Sequence, residues 1–356
     1  MSVTVAVDAN GADLGAAEVA AGAAIAAELG VKVRVYGPAE QIGEVAEGVE
    51  VIDAPISIAK EADPARAARS TPEASIVQAA RAVAQGEADA LVSAGATGAT
   101  LAAGLFEIKR ARGIFRPALA TPVPIPGSPV TLLDVGANVE VRSEHLVQFA
   151  FMGAALATTV LGQERPRVAL LSNGSEASRG TAVVIEAAQQ LAAGTHSTFE
   201  FVGNIEGNDL AADVADVIVT DGFTGNIALK VMEGISQAVV GGIREAATSS
   251  TRAKLGGALL RPALRGFRDE IDPEGPGGAY MLGLRQLAVV SHGRFTRYGF
   301  SQAILLAARA VNGDLVGRTE AMLEAGGALR RAGAAEAVSP SEGAASFPPD
   351  DSRRRP

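Results

Sequence analysis

The 356-residue chain has no cysteine and no tryptophan, and its only histidines are His145, His196 and His292. Without cysteine there is no disulfide, no thiolate nucleophile and no cysteine metal site. The three histidines stand in no metal-ligand spacing with Asp or Glu, so no metal or other cofactor is expected. Aromatics make up only 4%, so the core must be built from small aliphatic side chains, which suits close helix-on-sheet packing. Charged residues are 20%, and acids outnumber bases to give a formal net charge of −9. A chain without a basic footprint is not a general nucleic-acid binder. No run reaches the roughly 18 consecutive apolar residues of a membrane-spanning helix. The opening MSVTVAVDANGAD has neither a basic region nor an unbroken apolar run, so no signal peptide is read and a cytoplasmic location is expected.

Hydrophobic residues account for 48%, enough for a large core. Short β-branched runs alternate with longer alanine-rich ones. Residues 3–7, 31–36, 49–52, 90–93, 130–134, 167–172, 198–202, 217–220 and 287–290 read as strands. Residues 16–29, 75–85, 101–111, 144–161, 181–193, 227–246 and 299–312 read as helices. This alternation predicts a three-layer α/β/α fold with a mostly parallel sheet. A single α/β domain over residues 1–334 is expected. Residues 335–356, rich in Pro, Ser and charge, read as a disordered tail.

In such folds ligands sit beyond the carboxyl ends of strands. Six polar, glycine-rich loops fall there and are expected along one sheet edge. They are Asp8–Asp13, Ser93–Gly98, Asp134–Asn138, Ser172–Glu176, Gly203–Gly207 and Asp221–Asn226. A glycine turn feeding a helix presents free N–H groups to an anion such as phosphate. No G-x-x-x-x-G-K-[ST] occurs, and the first strand is followed by no G-x-G-x-x-G, so a P-loop nucleotidase and a dinucleotide-binding enzyme are disfavoured.

Taken in order, DVIVTDGFTGNIALKVMEG (Asp216–Gly234), LLDVGAN (Leu132–Asn138), GNIEGND (Gly203–Asp209), SAGATGA (Ser93–Ala99), RPALA (Arg116–Ala120) and GGAYMLG…VVSHGR (Gly277–Arg294) resemble the PlsX family of acyl-ACP:phosphate acyltransferases. The likeness runs from about Val3 to Leu315. It implies a fold similar to that of isopropylmalate dehydrogenases and phosphotransacetylases. It also implies an enzyme of phospholipid synthesis that makes acyl phosphate from long-chain acyl carrier protein and inorganic phosphate. A membrane glycerol-3-phosphate acyltransferase would then use that product. A homodimer in peripheral contact with the membrane is implied as well. The chain departs from the family pattern at Asn10-Gly11-Ala12-Asp13, at Ala96, at Arg179 and in the reduced basic run at Arg69.

Phosphate is its own nucleophile, so the protein has to hold it in line and stabilise an oxyanion. The SAGATG turn, Thr224, Asn226 and Arg179 are expected to hold anions, and Asn204 or Asn226 to donate to the oxyanion. Asp8, Asp13 and Asp221 are expected to orient these groups, and His292 to move protons. Substrate contacts are expected from Asp8, Asn10, Asp13, Ser93, Gly95, Thr97, Gly98, Asp134 and Asn138. The competing reading makes Asp13 and Asp134 helix caps and Asn138 a turn residue. Two other functional readings stand beside this one: a phosphotransacetylase-like enzyme on short acyl-CoA, and a weakened membrane-surface scaffold.

An amphipathic helical insertion is expected near residues 244–272. In KLGGALLRPALRGFR, Lys254, Arg261, Arg265 and Arg268 fall on one stripe of a helical wheel, with Leu259, Leu260 and Phe267 among its apolar neighbours. Such a stripe suits an anionic membrane surface or an acidic carrier protein. Gly256-Gly257 and Pro262 predict a hairpin of two shorter pieces in place of one rod.

Overall fold

The computed structural model describes residues 2–330 apart from 128, 195, 271 and 273, and leaves the side chains at 262–264 and 267–269 undescribed. The expected tail and the side chains of Phe267 and Arg268 lie outside the described set. The first half runs β1 (Thr4–Asp8), α1 (Ala16–Glu28), β2 (Lys32–Gly37), α2 (Ala39–Ile42), β3 (Val49–Asp53), α3 (Pro64–Ser70), α4 (Ser75–Ala84) and β4 (Ala90–Ser93). Next come α5 (Thr97–Ala103) with a π turn at Gly104–Ile108, β5 (Ala118–Val123), β6 (Val130–Leu133), α6 (Ser143–Val160), β7 (Arg167–Leu171), α7 (Ala182–Ala193) and β8 (Glu200–Ile205). The chain continues with β9 (Val217–Val219), α8 (Gly222–Thr248), α9 (Thr251–Glu270), β10 (Ala279–Leu282), β11 (Leu287–Val290), α10 (Arg297–Asn312) and α11 (Leu315–Ala325).

One eleven-stranded sheet results, in the order β3-β2-β1-β4-β11-β10-β5-β6-β9-β7-β8. Both faces are buried, as parallel strands require. Val5, Val7, Val33, Val35 and Val92 point into one apolar layer with α1, α6 and α10, while Ala6, Leu91, Leu132 and Ile218 point into the other. The expected α/β/α architecture is present.

Two strands absent from the sequence reading change the geometry. β10 pairs antiparallel with both β11 and β5, and β5 pairs antiparallel with β6. All other pairs are parallel. The β3-β2-β1-β4-β11 half and the β6-β9-β7-β8 half therefore run in opposite directions. The six loops do not share one edge: those after β1 and β4 leave one edge, and those after β6, β7, β8 and β9 leave the other.

The hairpin expected within residues 254–268 does not form: that stretch is a single rod, and the chain reverses earlier, at Ser249-Ser250 between α8 and α9. α9 runs unbroken through Gly256-Gly257 and Pro262. Gly257 serves a close approach: a Cβ there would lie 3.2 Å from Ala247 Cβ and 3.3 Å from Ala247 O on α8. Pro262 forfeits one backbone hydrogen bond, and the turns on either side carry the helix past it.

Candidate active site

At the first edge, β1 ends in Asp8, which is 1% exposed. Its Oδ1 accepts from Ser75 Oγ at 2.6 Å and from Asn10 N at 3.2 Å. Asn10 Nδ2 donates to Ser75 Oγ at 2.9 Å and to Ala54 O at 3.1 Å, tying the loop after β1 to the start of α4 and to the loop after β3. Burial pushes the Asp8 carboxyl up to about 7, against the opposing pull of Ser75, Asn10 and Ser93. Ser93 Oγ lies near enough to lower the Asp8 pKa, yet it makes no hydrogen bond of ordinary geometry and is buried. Gly95 stands at φ 108, and a Cβ there would lie 2.4 Å from Gly293 N. Asp13 N donates to Gly293 O at 2.7 Å, closing the same group. His292 is exposed, and its Nδ1 accepts from Arg294 N at 3.2 Å. Thr97 and Gly98 open α5 beside it. Asp13 caps no helix, because α1 begins only after Gly15.

At the opposite edge Asp134 is fully buried and organises the loop after β6. Its Oδ1 accepts from Leu119 N, Gly136 N and Ala137 N at 3.0, 3.1 and 3.0 Å. Its Oδ2 accepts from Asn138 N and Nδ2, both at 2.8 Å. Burial raises the Asp134 pKa, and the donors from Ala137, Asn138, Leu119 and Gly136 lower it. Asp134 also caps no helix, since α6 starts after Arg142. Asn138 binds Pro117 O through Nδ2 at 2.7 Å and receives Gly222 N on its carbonyl at 2.7 Å. It is therefore a structural tie between two loops.

The Asp221–Asn226 segment is the first turn of α8 and not a free loop. Asp221 is its N-cap, with Thr224 N on Oδ1 at 2.8 Å and Thr224 Oγ1 on Oδ2 at 2.7 Å. Glycine is required where this turn meets the Asp134 loop. A Cβ on Gly225 would fall 2.0 Å from Asp134 O, and one on Gly222 would fall 2.7 Å from Asn138 O. Asn226 is half-buried on the same turn. Farther along this edge, Asn204 in β8 is buried, and its Nδ2 donates to Glu176 O at 3.1 Å and Arg179 O at 3.3 Å. Both amide protons of Asn204 thus hold the loop after β7, and its buried Oδ1 has no partner. The Arg179 side chain is exposed, with Glu176 at 3.6 Å.

The structure therefore brings together Asp134, Asn138, Asp221, Thr224 and Asn226, with Arg179 in the loop after β7 and Asn204 near the end of β8 on the same edge. Asp8, Asn10, Asp13, Ser93, Gly95, Thr97, Gly98 and His292 form a separate group. The edge of Asp134 and Asp221 has the charge and donors an anion needs in Arg179, Asn226 and the start of a 27-residue helix, while both donors of Thr224 are engaged by Asp221. The edge of Asp8 has a buried carboxyl instead. Among the described residues no cluster of His, Asp and Glu could hold a metal ion.

The fold of this mixed sheet and its flanking helices is similar to that of phosphotransacetylases. The chain superposes on a phosphotransacetylase from Streptococcus pyogenes with TM-score 0.58 and 18% identity, covering 87% of this chain and 94% of that one. The EutD phosphotransacetylase from Staphylococcus aureus gives 0.56 and 20% over the same shares. Residues 3–318 match the family model described as fatty acid synthesis protein. A phosphate acyltransferase of Streptococcus equi subsp. zooepidemicus is 39% identical over 321 residues, 88% of this chain and 95% of the relative. One from Magnetococcus marinus is 40% identical over 282 residues, 78% of this chain and 81% of the relative. The chain belongs to the PlsX family of fatty acid synthesis proteins and is an acyltransferase.

Proposed function

We propose that the chain transfers the acyl group of a long-chain acyl-ACP thioester to inorganic phosphate, forming acyl phosphate for phosphatidic acid synthesis. The observation that carries this reading is the anion-holding edge: Arg179 beyond the end of β7, and Asn226 on the first turn of α8, which packs through Gly222 and Gly225 on the Asp134–Asn138 loop. A phosphate oxygen attacks the thioester carbonyl, a C–O bond forms and the C–S bond breaks. The thiolate leaves and takes up the proton that phosphate releases. Arg179 grips phosphate oxygens, and its fork does this at least as well as a lysine. Asn226 donates to the developing oxyanion, because the amide protons of Asn204 are already engaged with Glu176 O and Arg179 O. Asp221 and Thr224 fix the helix start that presents these donors.

The paired helices α8 and α9 serve assembly and location. Ile227, Val231, Ile235, Val239 and Ile243 recur along α8 and are between 40% and 59% exposed, a stripe suited to a second copy in a homodimer. On α9, Leu259 at 78% and Leu260 at 59% stand exposed beside Lys254, Arg261 and Arg265. That combination fits peripheral contact with an anionic membrane, where a glycerol-3-phosphate acyltransferase would take the acyl phosphate. No described helix is long and apolar enough to cross a bilayer.

The test is phosphate-dependent release of free carrier thiol from palmitoyl-ACP, with acetyl-CoA in parallel. Turnover on palmitoyl-ACP that vanishes without phosphate is expected. Turnover on acetyl-CoA only would transfer the chain to the short-acyl reading that its phosphotransacetylase neighbours favour. Inertness toward both, in folded protein that binds liposomes, would favour the scaffold.

A further inference from the structure

The stretch Lys109–Arg116, KRARGIFR, holds four cations and no acid in a chain where 40 Asp and Glu outnumber 31 Lys and Arg. The helix before it ends at Lys109, which stands at φ 72, and the segment then runs along the surface. Two more arginines join it from distant parts of the chain. Arg285, in the turn between β10 and β11, donates its N–H to Lys109 O at 2.9 Å and its Nε–H to Arg110 O at 3.3 Å. Arg142 N donates to Nδ1 of His145 at 3.2 Å, and the His145 ring lies 5.7 Å from that of Phe115.

Lys109, Arg112, Arg116, Arg142 and Arg285 are exposed. Most arginines bridged elsewhere in the fold are matched closely: Arg34 with Glu50 and Glu87, Arg167 with Asp213 and Asp216, Arg297 with Glu18. Arg112, Arg116 and Arg285 have no acidic group within ion-pair distance among the described residues, and Arg142 meets Glu144 at 3.8 Å. The positive field is felt locally. Burial is the main reason the His145 pKa falls to about 4; Glu144 opposes the fall, and Arg116, Arg142 and Arg110 add to it.

We infer that this basic face, centred on Arg112 and Arg116, docks the acidic acyl carrier protein that brings the thioester. The inference rests on the acyl-transfer reading above and adds where the donor sits. Pro117, next to Arg116, gives its carbonyl to Asn138 of the Asp134 loop, so the face borders the edge that carries Thr224 and Asn226. A carrier seated on these arginines reaches that edge with its tethered acyl arm. Planar guanidinium forks match carboxylates in pairs, and clustered charge speeds the encounter of oppositely charged proteins. The exposed apolar side chains that a bilayer would take up lie chiefly on α8 and α9, which favours a protein partner for this face.

The test compares wild type with the double charge reversal Arg112→Glu/Arg116→Glu, using acyl-ACP and acyl-pantetheine as donors to phosphate. The variant should raise KM for acyl-ACP by roughly tenfold or more and lose most of its salt sensitivity. Its kcat/KM on acyl-pantetheine, which has no protein to dock, should stay within about twofold of wild type. An unchanged KM for acyl-ACP overturns the inference. So does an equal loss on both donors, or a variant that loses only its binding to anionic vesicles. Wild type that uses neither donor would refute the acyl-transfer reading. Direct calorimetric binding of holo carrier protein to wild type and variant would then decide the docking surface by itself.

Discussion

Asp8→Asn should make the protein less sensitive to rising pH, and the size of the effect follows from burial. The Asp8 carboxyl is held near 7 in the fold against 3.8 in an open chain. Between those values the native state keeps a proton that the unfolded state has released. Folding stability contributed by this group therefore falls as pH rises, and levels off above about 7. About three pH units at 1.36 kcal/mol each give a loss of up to about 4 kcal/mol. The amide that replaces the carboxyl would still accept from Ser75 Oγ and Asn10 N, and it could donate to the buried Ser93 Oγ, which has no regular partner. Urea unfolding at half-unit steps from pH 4 to pH 8 should thus show the variant gaining on wild type by about 1.4 kcal/mol per unit, then running level. The difference between proteins matters, because other groups titrate in the same window. A difference that stays flat, or that shrinks as pH rises, would refute the assignment.

Gly225→Ala should lower stability by several kcal/mol and abolish turnover together, because its Cβ would lie 2.0 Å from Asp134 O; circular dichroism melts with initial rates check both. Asn226→Ala should cost about 10²-fold in kcat with little change in KM, while Arg179→Ala should raise KM for phosphate and Arg179→Lys should recover part of it. A fall of kcat with intact KM in the arginine variant would reverse these roles. His145 runs opposite to Asp8: its folded pKa of about 4 lies below its open-chain value of 6.5. The unfolded state then binds the extra proton, so this group's contribution is present above about 6.5 and drains away toward pH 4. His145→Gln should remove that acid-side loss in melts taken from pH 7 to pH 4.

The layered α/β/α architecture was legible in the sequence because alternation of β-branched and alanine-rich runs is a strong periodic signal. β5 and β10 escaped it. Pro122 stands inside β5, and a proline in a run argues against a strand. β10 is four residues long and follows two glycines, Gly277 and Gly278, at φ 82 and 135. Those two strands reverse the sheet direction, so missing them placed six loops on one edge where the fold has two separate groups. The loops themselves were found, since glycine, Asn and Asp mark strand ends whichever way the strand runs. What each side chain does was less readable. Asp221 and Thr224 cap α8, and Asn138 and Asn204 tie loops together, roles that depend on which backbone atoms the fold brings near. The cations of KRARGIFR were visible, but their union with Arg142 and Arg285 exists only after folding.

The central claim is tested most directly by following the oxygen atoms of phosphate into product. With palmitoyl-ACP and fully ¹⁸O-labelled phosphate, phosphorus NMR should show acyl phosphate carrying every labelled oxygen, because a phosphate oxygen forms the new C–O bond. Palmitate appearing with unlabelled solvent oxygen, and no acyl phosphate trapped by hydroxylamine, would mean that water is the acceptor and that the edge bearing Arg179 and Asn226 does not present phosphate to the thioester.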